Sequence, residues 1–382
     1  MYLEIIHETL FYEMVFMKIA IFTLIGRGPG TKLQNYALQT YLEKEFTADV
    51  KTIRRTGYYY YPLMLKNSFR NFSLKEFAKL ILQKSFRQYI VNEKKLQPNW
   101  LAFDKNIKYT DYVYKQNSGA ITENLDNMFD YFCVGSDQVW NFNWYADINY
   151  FKYFASSKCF SYAASFGVYD IDDGHRKNVS EALEHLSGIS IREDAGVKIA
   201  KQLTGKQIER NIDPTFLLSK DDWVKVYKKP KHYIKEDYIV AFFLGDIAKD
   251  RHNKIEKLAK ENNCKIMWIM KKEFPLWEDI GPAEFLYVIA HAKGVVTDSF
   301  HGTAFSIIFR KPFYVLNRKQ NLNNMNSRLD TLLELFNLKN RHVLDKDMCF
   351  DRFLIDYQNN VDEIISYEQQ KAKNYFASML RK

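Results

Sequence analysis

The chain has 382 residues, 47% of them hydrophobic and 26% charged, which is typical of a globular protein long enough for two domains. Its four cysteines are widely spread and show no metal-ligand spacing, which excludes a disulfide framework and predicts reduced thiols. No stretch reaches the roughly 18 to 20 apolar residues that span a bilayer, so a membrane role would be peripheral.

The net charge of +9 is concentrated in one segment. Residues 51–116 hold 14 Lys/Arg against 4 Asp/Glu, a balance of +10, which leaves the rest of the chain near −1. A basic segment with many aromatic residues suits nucleic acid, an anionic membrane surface or an anionic lipid-linked acceptor. A solvated helical face with its aromatics in the core explains it equally well. Because this segment alone supports nucleic-acid binding, we expect none.

The first half of the chain predicts alternating strands and helices. Residues 1–16 carry acidic residues where an export signal is basic, so we expect a non-native or disordered extension with Met17 as the true start. Residues 18–25 predict a strand, followed by a glycine-rich turn and a helix. The basic segment 51–116 shows no strand rhythm and is predicted to be an insertion with a helix at 74–91. Further strands are expected at 131–134, 159–163 and 189–191.

The α/β rhythm begins again after residue 235. Strands are predicted at 238–244, 265–270, 294–297 and 312–316, with helices of about ten residues between them. This alternation predicts an α/β fold of two Rossmann-like domains whose parallel sheets face a cleft. We expect an N-terminal domain at 17–218 that contains the basic aromatic insertion, a C-terminal domain at 219–360, and a final helix at 361–382 that packs on either domain.

Several polar residues stand where a predicted strand ends, which is where open parallel sheets bind ligands. In TDSFHGTAF, the turn places His301 at a helix N-terminus with Ser299 as its cap, and Gly302 permits close backbone approach. This turn suits a phosphate or carboxylate, or it is a capping turn whose histidine bonds a carbonyl.

Two other strand ends offer polar side chains. In ISIREDAG, Arg192 either clamps an anion or forms an ion pair with Glu193 or Asp194. In CVGSDQVWN, Asp137 either orients a sugar hydroxyl or caps a turn.

Other patterns argue against nucleotide loops and metals. The loop GRGPGTKLQ lacks the GK[ST] of a P-loop. Asp170, Asp172 and Asp173 imitate a DxD metal motif, although Asp-Gly runs are usually turns. No histidine pair has ligand spacing, so we expect no metal.

Seven segments in series resemble the polysaccharide pyruvyl transferase family: GTKLQNYALQ, VGSDQVWN, SYAASFG, ISIREDAG, DPTFLL, GPAEFLYVIAHA and TDSFHGTAFSIIFRKPFYVL. The resemblance implies a fold similar to GT-B glycosyltransferases and transfer of pyruvate from phosphoenolpyruvate onto a sugar as a cyclic ketal. It implies that His301 and Arg192 are the catalytic residues, contributed by opposite domains.

The resemblance also guides the remaining assignments. Phosphoenolpyruvate is the co-substrate, and no other cofactor is expected. The saccharide acceptor, free or lipid-linked, is expected on the cytoplasmic side, with peripheral contact at the inner membrane face. The expected donor-binding residues are Ser299, Phe300, Gly302, Thr303 and Arg328, and the expected acceptor-binding residues are Gly135, Ser136, Asp137, Gln138, Gln34 and Asn35.

Two other functions remain open at this point. A nucleotide-sugar glycosyltransferase would use the same architecture. A non-catalytic carbohydrate-binding protein of a polysaccharide locus would use the aromatic segment to stack on sugar rings.

Overall fold

The first sheet has seven parallel strands in the order β3-β2-β1-β4-β5-β6-β7. The computed structural model describes residues 16–25, 28–56, 98–115, 125–142, 154–269, 280–318, 326–343, 355, 357 and 360–380. The strands of this sheet are β1 Met17–Phe22, β2 Ala48–Thr56, β3 Tyr109–Lys115, β4 Tyr131–Asp137, β5 Cys159–Ala164, β6 Ile189–Ile191 and β7 Ile208–Arg210.

The second sheet has five parallel strands in the order β12-β11-β10-β8-β9. Its strands are β8 Tyr238–Phe242, β9 Lys265–Ile269, β10 Gly294–Thr297, β11 Phe313–Leu316 and β12 His342–Val343. The central strands of each sheet are buried on both faces, as is usual for parallel sheets, so β5, β8, β10 and β11 are mostly apolar runs. The predicted α/β fold with two parallel Rossmann-like sheets is confirmed.

Helices connect the parallel strands. They are α1 Pro29–Phe46, α2 Leu125–Met128, α3 Asp173–His185, α4 Asp194–Leu203, α5 Lys220–Val226, α6 Lys249–Glu261, α7 Pro282–His291, α8 Phe300–Ile308, α9 Ser327–Leu335 and α10 Val361–Met379. Residues 98–104 are also helical, and single 3-10 turns are formed by Ser156–Lys158, Pro214–Leu217 and Lys339–Arg341.

The prediction for the basic segment is wrong at both of its ends. The sequence predicts a helical insertion over 51–116, but β2 and β3 form one side of the first sheet. In β2 the buried Ala48, Val50 and Thr52 alternate with partly exposed residues, which is the period of a strand. The basic residues of this strand obscured that period. The predicted helix at 74–91 and residues 1–15 of the predicted extension at 1–16 lie outside the described residues.

One hydrophobic cluster joins the two halves. It contains buried side chains from β1, α1 and β4 of the first half and from β8, α7 and α8 of the second. The final helix α10 returns to the first half, where Phe376 stacks on Tyr162 at 4.4 Å between ring centroids. The Tyr375 hydroxyl donates to the Ser161 carbonyl at 2.7 Å. The sequence had left both halves open as a partner for this helix.

Each sheet reverses its strand order at one place. In the first sheet the order reverses between β1 and β4, and in the second between β8 and β10. At such a point the connections leave in opposite directions and open a crevice at the carboxyl ends of the strands. The fold therefore offers two such crevices, and the residues that follow β4 and β10 lie in them.

Candidate active site

The carboxyl ends of strands from both sheets meet at one buried cluster, which we call the charged cluster. It consists of Asp137 at the end of β4, Arg192 after β6, Asp213 after β7, His301 in the first turn of α8, and Arg328 in the first turn of α9. All five are at most 7% exposed. Apolar strands carry these polar residues into the interior, where each needs a partner.

Arg192 is held by two carboxylates. Its Nη1 donates to Asp213 Oδ2, and its Nη2 lies 3.4 Å from Asp137 Oδ1. Its partners are therefore these distant aspartates rather than Glu193 or Asp194, the neighbours named in the sequence-based alternative. Glu193 Oε1 instead accepts from Ser165 Oγ and from the backbone N–H groups of Phe166 and Gly167, in the loop after β5.

Arg328 reaches the same carboxylate from the second half of the chain. Its Nη1 lies 3.6 Å from Asp137 Oδ1. The Phe300 ring contacts both guanidiniums, with Cζ of Arg192 at 4.2 Å and Cζ of Arg328 at 5.9 Å from its centroid. Cation–π contacts of this kind favour a guanidinium in a site that excludes water.

His301 is the member of the charged cluster that contacts helix α1. Its Nε2 is 3.9 Å from Asp213 Oδ2, and within the described part of the chain this nitrogen has no hydrogen-bond partner. A Cβ added at Gly30 of α1 would lie 2.1 Å from both Cγ and Nδ1 of His301. The imidazole therefore occupies space that exists because residue 30 is glycine.

Burial and charge set the protonation states. Burial lowers the pKa of His301 below its usual value, although Asp213 and Asp137 oppose this effect. Burial alone would raise the pKa of Asp137, but His301, Arg192 and Arg328 outweigh it and lower the pKa. Burial would likewise raise the pKa of Asp213, but Arg192, His301 and the hydrogen bonds from Thr215 together outweigh it and lower the pKa. Near neutral pH the cluster thus holds two carboxylates, two guanidiniums and a neutral imidazole.

The other predicted donor residues shape the start of α8. Ser299 Oγ caps the helix by accepting from the Gly302 N–H at 3.4 Å, and Thr303 Oγ1 donates to the Ser299 carbonyl at 3.0 Å. A Cβ at Gly302 would lie 2.6 Å from Thr297 Oγ1, so this glycine lets the helix pack on its own strand. These contacts fix the turn that carries Phe300 and His301.

Some of the predicted acceptor residues lie at the charged cluster, and others form hydrogen bonds within the fold beside it. Ser136 Oγ lies 3.2 Å from Asp213 Oδ2 and therefore adjoins Arg192. Gln34 Nε2 donates to Thr23 Oγ1 at 2.7 Å, and Asn35 Oδ1 accepts from Thr52 Oγ1 at 2.9 Å, so both amides bind inside the fold.

Two further candidates come from the same strand end. A Cβ at Gly135 would lie 2.3 Å from Leu38 Cδ2, which explains how α1 packs closely on β4. Gln138 Oε1 accepts from Asn141 Nδ2 at 2.7 Å.

Three residues of the site were missed by sequence reasoning. Asp213 and Gly30 were used only as parts of the family-like segments DPTFLL and GTKLQNYALQ, with no role assigned to either side chain. Arg318 follows β11, and its Nε lies 3.5 Å from Asp298 Oδ2, next to the backbone N–H groups of Leu244 and Gly245 that bind the same carboxylate. The strand-end rule that found Arg192 also applies to Asp213 and Arg318.

The aspartates of the DxD-like segment form a helix start. Asp170 and Asp173 each pair with Arg176, and Asp172 lies 2.6 Å from His175. Within the described residues, no group of three or more His, Cys, Asp or Glu side chains is arranged to hold a metal. Over the same residues, no helix has the length and apolar character needed to cross a bilayer.

Comparison with known proteins gives one family. A family model described as polysaccharide pyruvyl transferase matches residues 32–320. No curated protein matches the chain.

Three solved structures that align with the chain have low identity. The UDP-GlcNAc 2-epimerase of Methanocaldococcus jannaschii is 14% identical with a TM-score of 0.47, covering 92% of this chain and 99% of that one. A putative UDP-N-acetylglucosamine 2-epimerase from Listeria monocytogenes is 10% identical with a TM-score of 0.48, covering 97% and 99%. An E. coli heptosyltransferase with ADP is 9% identical with a TM-score of 0.37, covering 92% and 100%.

Proposed function

Because the chain belongs to the polysaccharide pyruvyl transferase family, we propose that it transfers pyruvate from phosphoenolpyruvate to two hydroxyls of a sugar. The product is a cyclic ketal, and inorganic phosphate is released. The observation that carries this proposal is the meeting of Arg192, Arg328 and His301 from facing sheet ends in one buried cluster.

The two guanidiniums suit the donor. Phosphoenolpyruvate carries a carboxylate and a phosphate, and a guanidinium binds either group through two parallel hydrogen bonds. In the unliganded protein Arg192 and Arg328 share Asp137, so a bound donor competes with that carboxylate for them. Arg318 is a third cation at the same sheet edge and is proposed to contact the phosphate. Ser299, Phe300, Gly302 and Thr303 form the turn on which the donor would rest.

The histidine suits proton transfer. His301 is neutral near pH 7 because burial lowers its pKa, so it can accept a proton from an attacking hydroxyl. The negative charges of the donor favour the imidazolium that results. His301 can then give this proton to the leaving phosphate.

The proposed steps balance in atoms and charge. A proton adds to the methylene carbon of phosphoenolpyruvate and makes C2 electrophilic, and the first sugar hydroxyl forms a C–O bond to C2 while losing its proton. The bond between C2 and the phosphate oxygen then breaks with its electron pair going to phosphate. The second hydroxyl bonds to C2 and loses its proton. The proton of the first hydroxyl leaves with phosphate through His301, and the proton of the second hydroxyl passes to solvent, which supplies the proton added at carbon.

The acceptor is proposed to approach from the first half of the chain. Asp137 belongs to the charged cluster and Ser136 adjoins it at the end of β4. Gln138, Gly135, Gln34 and Asn35 are proposed to complete this side of the acceptor site. The basic segment would draw an anionic, lipid-linked saccharide or the inner membrane face toward the same half. We therefore propose reaction on the cytoplasmic side with peripheral membrane contact.

Ligand-dependent unfolding tests the donor. Thermal unfolding is followed with phosphoenolpyruvate and, separately, with a panel of nucleotide sugars, because a ligand that binds the native state raises the midpoint. We expect a rise with phosphoenolpyruvate that is lost in Arg192→Met. A rise with a nucleotide sugar instead would replace this proposal by glycosyl transfer.

Turnover tests the catalytic assignment. Release of phosphate from phosphoenolpyruvate is measured with lipid-linked glycans from the source cell, and the product is checked by mass for the added ketal. His301→Gln is expected to lower turnover roughly 100-fold or more. His291→Gln is the matched control, since His291 is an exposed histidine at the end of α7. Full activity in folded His301→Gln would disprove the role.

A further inference from the structure

Asp213 is the more deeply buried of the two carboxylates of the charged cluster. It is 1% exposed and follows β7 of the first sheet. Its Oδ1 accepts from the Thr215 N–H at 3.0 Å and from Thr215 Oγ1 at 2.8 Å. These two bonds fix the carboxylate, so that its other oxygen, Oδ2, points into the cluster in one orientation.

That second oxygen faces both proposed catalytic residues. Oδ2 accepts from Nη1 of Arg192 and lies 3.9 Å from Nε2 of His301. It also accepts from Ser136 Oγ at 3.2 Å. Asp213 therefore lies close to an imidazole nitrogen that has no hydrogen-bond partner among the described residues.

The surroundings of the His301 ring single out Asp213 as its nearby carboxylate. Gly30 of α1 lies against Cγ and Nδ1 of His301, so the ring is packed on that side. The charged groups that act on the ring are the carboxylates of Asp213 and Asp137 and the guanidiniums of Arg192 and Arg328. Asp137 is already shared by Thr31 Oγ1 and the two guanidiniums, and Asp213 is the carboxylate within 4 Å of Nε2.

We propose that Asp213 is a positioning residue for the pyruvyl transfer proposed above: its Oδ2 orients Arg192 and stabilises the imidazolium of His301 through Nε2–H. This inference rests on the proposed function for its catalytic meaning. The contact itself does not depend on which donor is used.

His301 carries one proton from a sugar hydroxyl to the leaving phosphate. The neutral imidazole accepts one proton from an attacking sugar hydroxyl, whose oxygen bonds to C2 of the donor. Because Gly30 packs against Nδ1, Nε2 is the nitrogen that takes up this proton, and the N–H that results faces Oδ2 of Asp213. His301 then passes one proton to the phosphate oxygen as the bond to C2 breaks. Asp213 stays ionised throughout, because Arg192 and Thr215 keep its pKa low despite burial.

A titration of His301 by NMR tests the contact without any substrate. The His301 signal is assigned as the one that disappears in His301→Gln, among the eight histidines of the chain. In Asp213→Asn we expect the pKa of His301 to fall by about 1 unit, because a carboxylate close to an imidazole favours its cation. An unchanged pKa in a folded variant overturns the proposal.

Turnover then separates positioning from packing. Asp213→Asn is expected to lower kcat for phosphate release roughly 100-fold. Glu368→Gln is the matched control, since Glu368 is equally buried and is paired with Arg210 at 2.8 Å, outside the cluster. Glu368→Gln is expected to lose stability and keep its kcat within about twofold. Equal losses of kcat in both variants would show a structural role and contradict the proposal.

A reciprocal measurement covers the case in which Asp213→Asn does not fold. In the wild-type chain labelled with ¹³C at aspartate carboxyls, the Asp213 signal is expected to show a step at the pKa of His301. The step should vanish in His301→Gln, and its persistence there overturns the proposal. If the coupling is present but phosphoenolpyruvate yields no phosphate with any glycan, the proposed function fails while the contact stands.

Discussion

Gly30→Ala should disable the site by moving one histidine. The added Cβ would lie 2.1 Å from Cγ and Nδ1 of His301, whereas ordinary contacts begin at 3.4 Å. The imidazole or helix α1 must therefore shift by about 1.3 Å, the difference between those distances. A displacement of about 1 Å at a reacting group can cost on the order of 100-fold in rate.

This variant should lose stability but stay folded. Overpacking costs about 1 to 3 kcal/mol. Replacing a glycine in a helix returns roughly 0.5 to 1 kcal/mol of backbone entropy. We therefore expect the free energy of unfolding to fall by about 0 to 2.5 kcal/mol, which leaves most of the protein folded.

Phosphate release and chemical unfolding are measured on the same preparations. The control is Gly205→Ala, since a Cβ at Gly205 would meet no heavy atom within 4 Å. That variant should keep the activity of the wild type. Wild-type activity in folded Gly30→Ala would refute the reasoning, because it would mean that the packing of His301 on α1 does not set the rate.

Three more predictions follow from the charged cluster. Arg328→Lys keeps the charge but loses the planar fork, so kcat/KM for phosphoenolpyruvate should fall about tenfold or more in the phosphate assay. Arg318→Met should raise KM for phosphoenolpyruvate with little change in kcat, if it binds donor and transition state alike. Because the pKa of His301 is lowered in the folded chain, the unfolded chain binds more protons below pH 6.5, and stability should fall as the pH drops below that value. Urea unfolding at pH 7 and pH 5 should show a smaller decline in His301→Gln than in the wild type.

The sequence was a good guide where the signal is local. The strands Ile189–Ile191 and Gly294–Thr297 were predicted with the bounds observed. Apolar runs separated by amphipathic stretches specify such elements directly. The expectation that Arg192 and His301 act together came from the family resemblance, because the two residues follow strands of different sheets.

The remaining features depend on contacts between distant segments. Neighbouring acids were candidate partners of Arg192, but Asp137 and Asp213 bind it because the ends of β4, β6 and β7 lie side by side. The approach of Gly30 to His301 depends on how the two halves pack. β2 was missed since basic side chains at a sheet position broke the expected apolar pattern.

The return of α10 to the first half has a mechanical consequence. The chain passes between the two sheets once after β7 and again between β12 and α10. Helix α10 therefore ties the two halves together, since its first turn pairs with Arg310 through Asp362 and its last turns pack on Tyr162 and Ser161. Separating the halves would have to break one of these sets of contacts together with the hydrophobic cluster that the halves share.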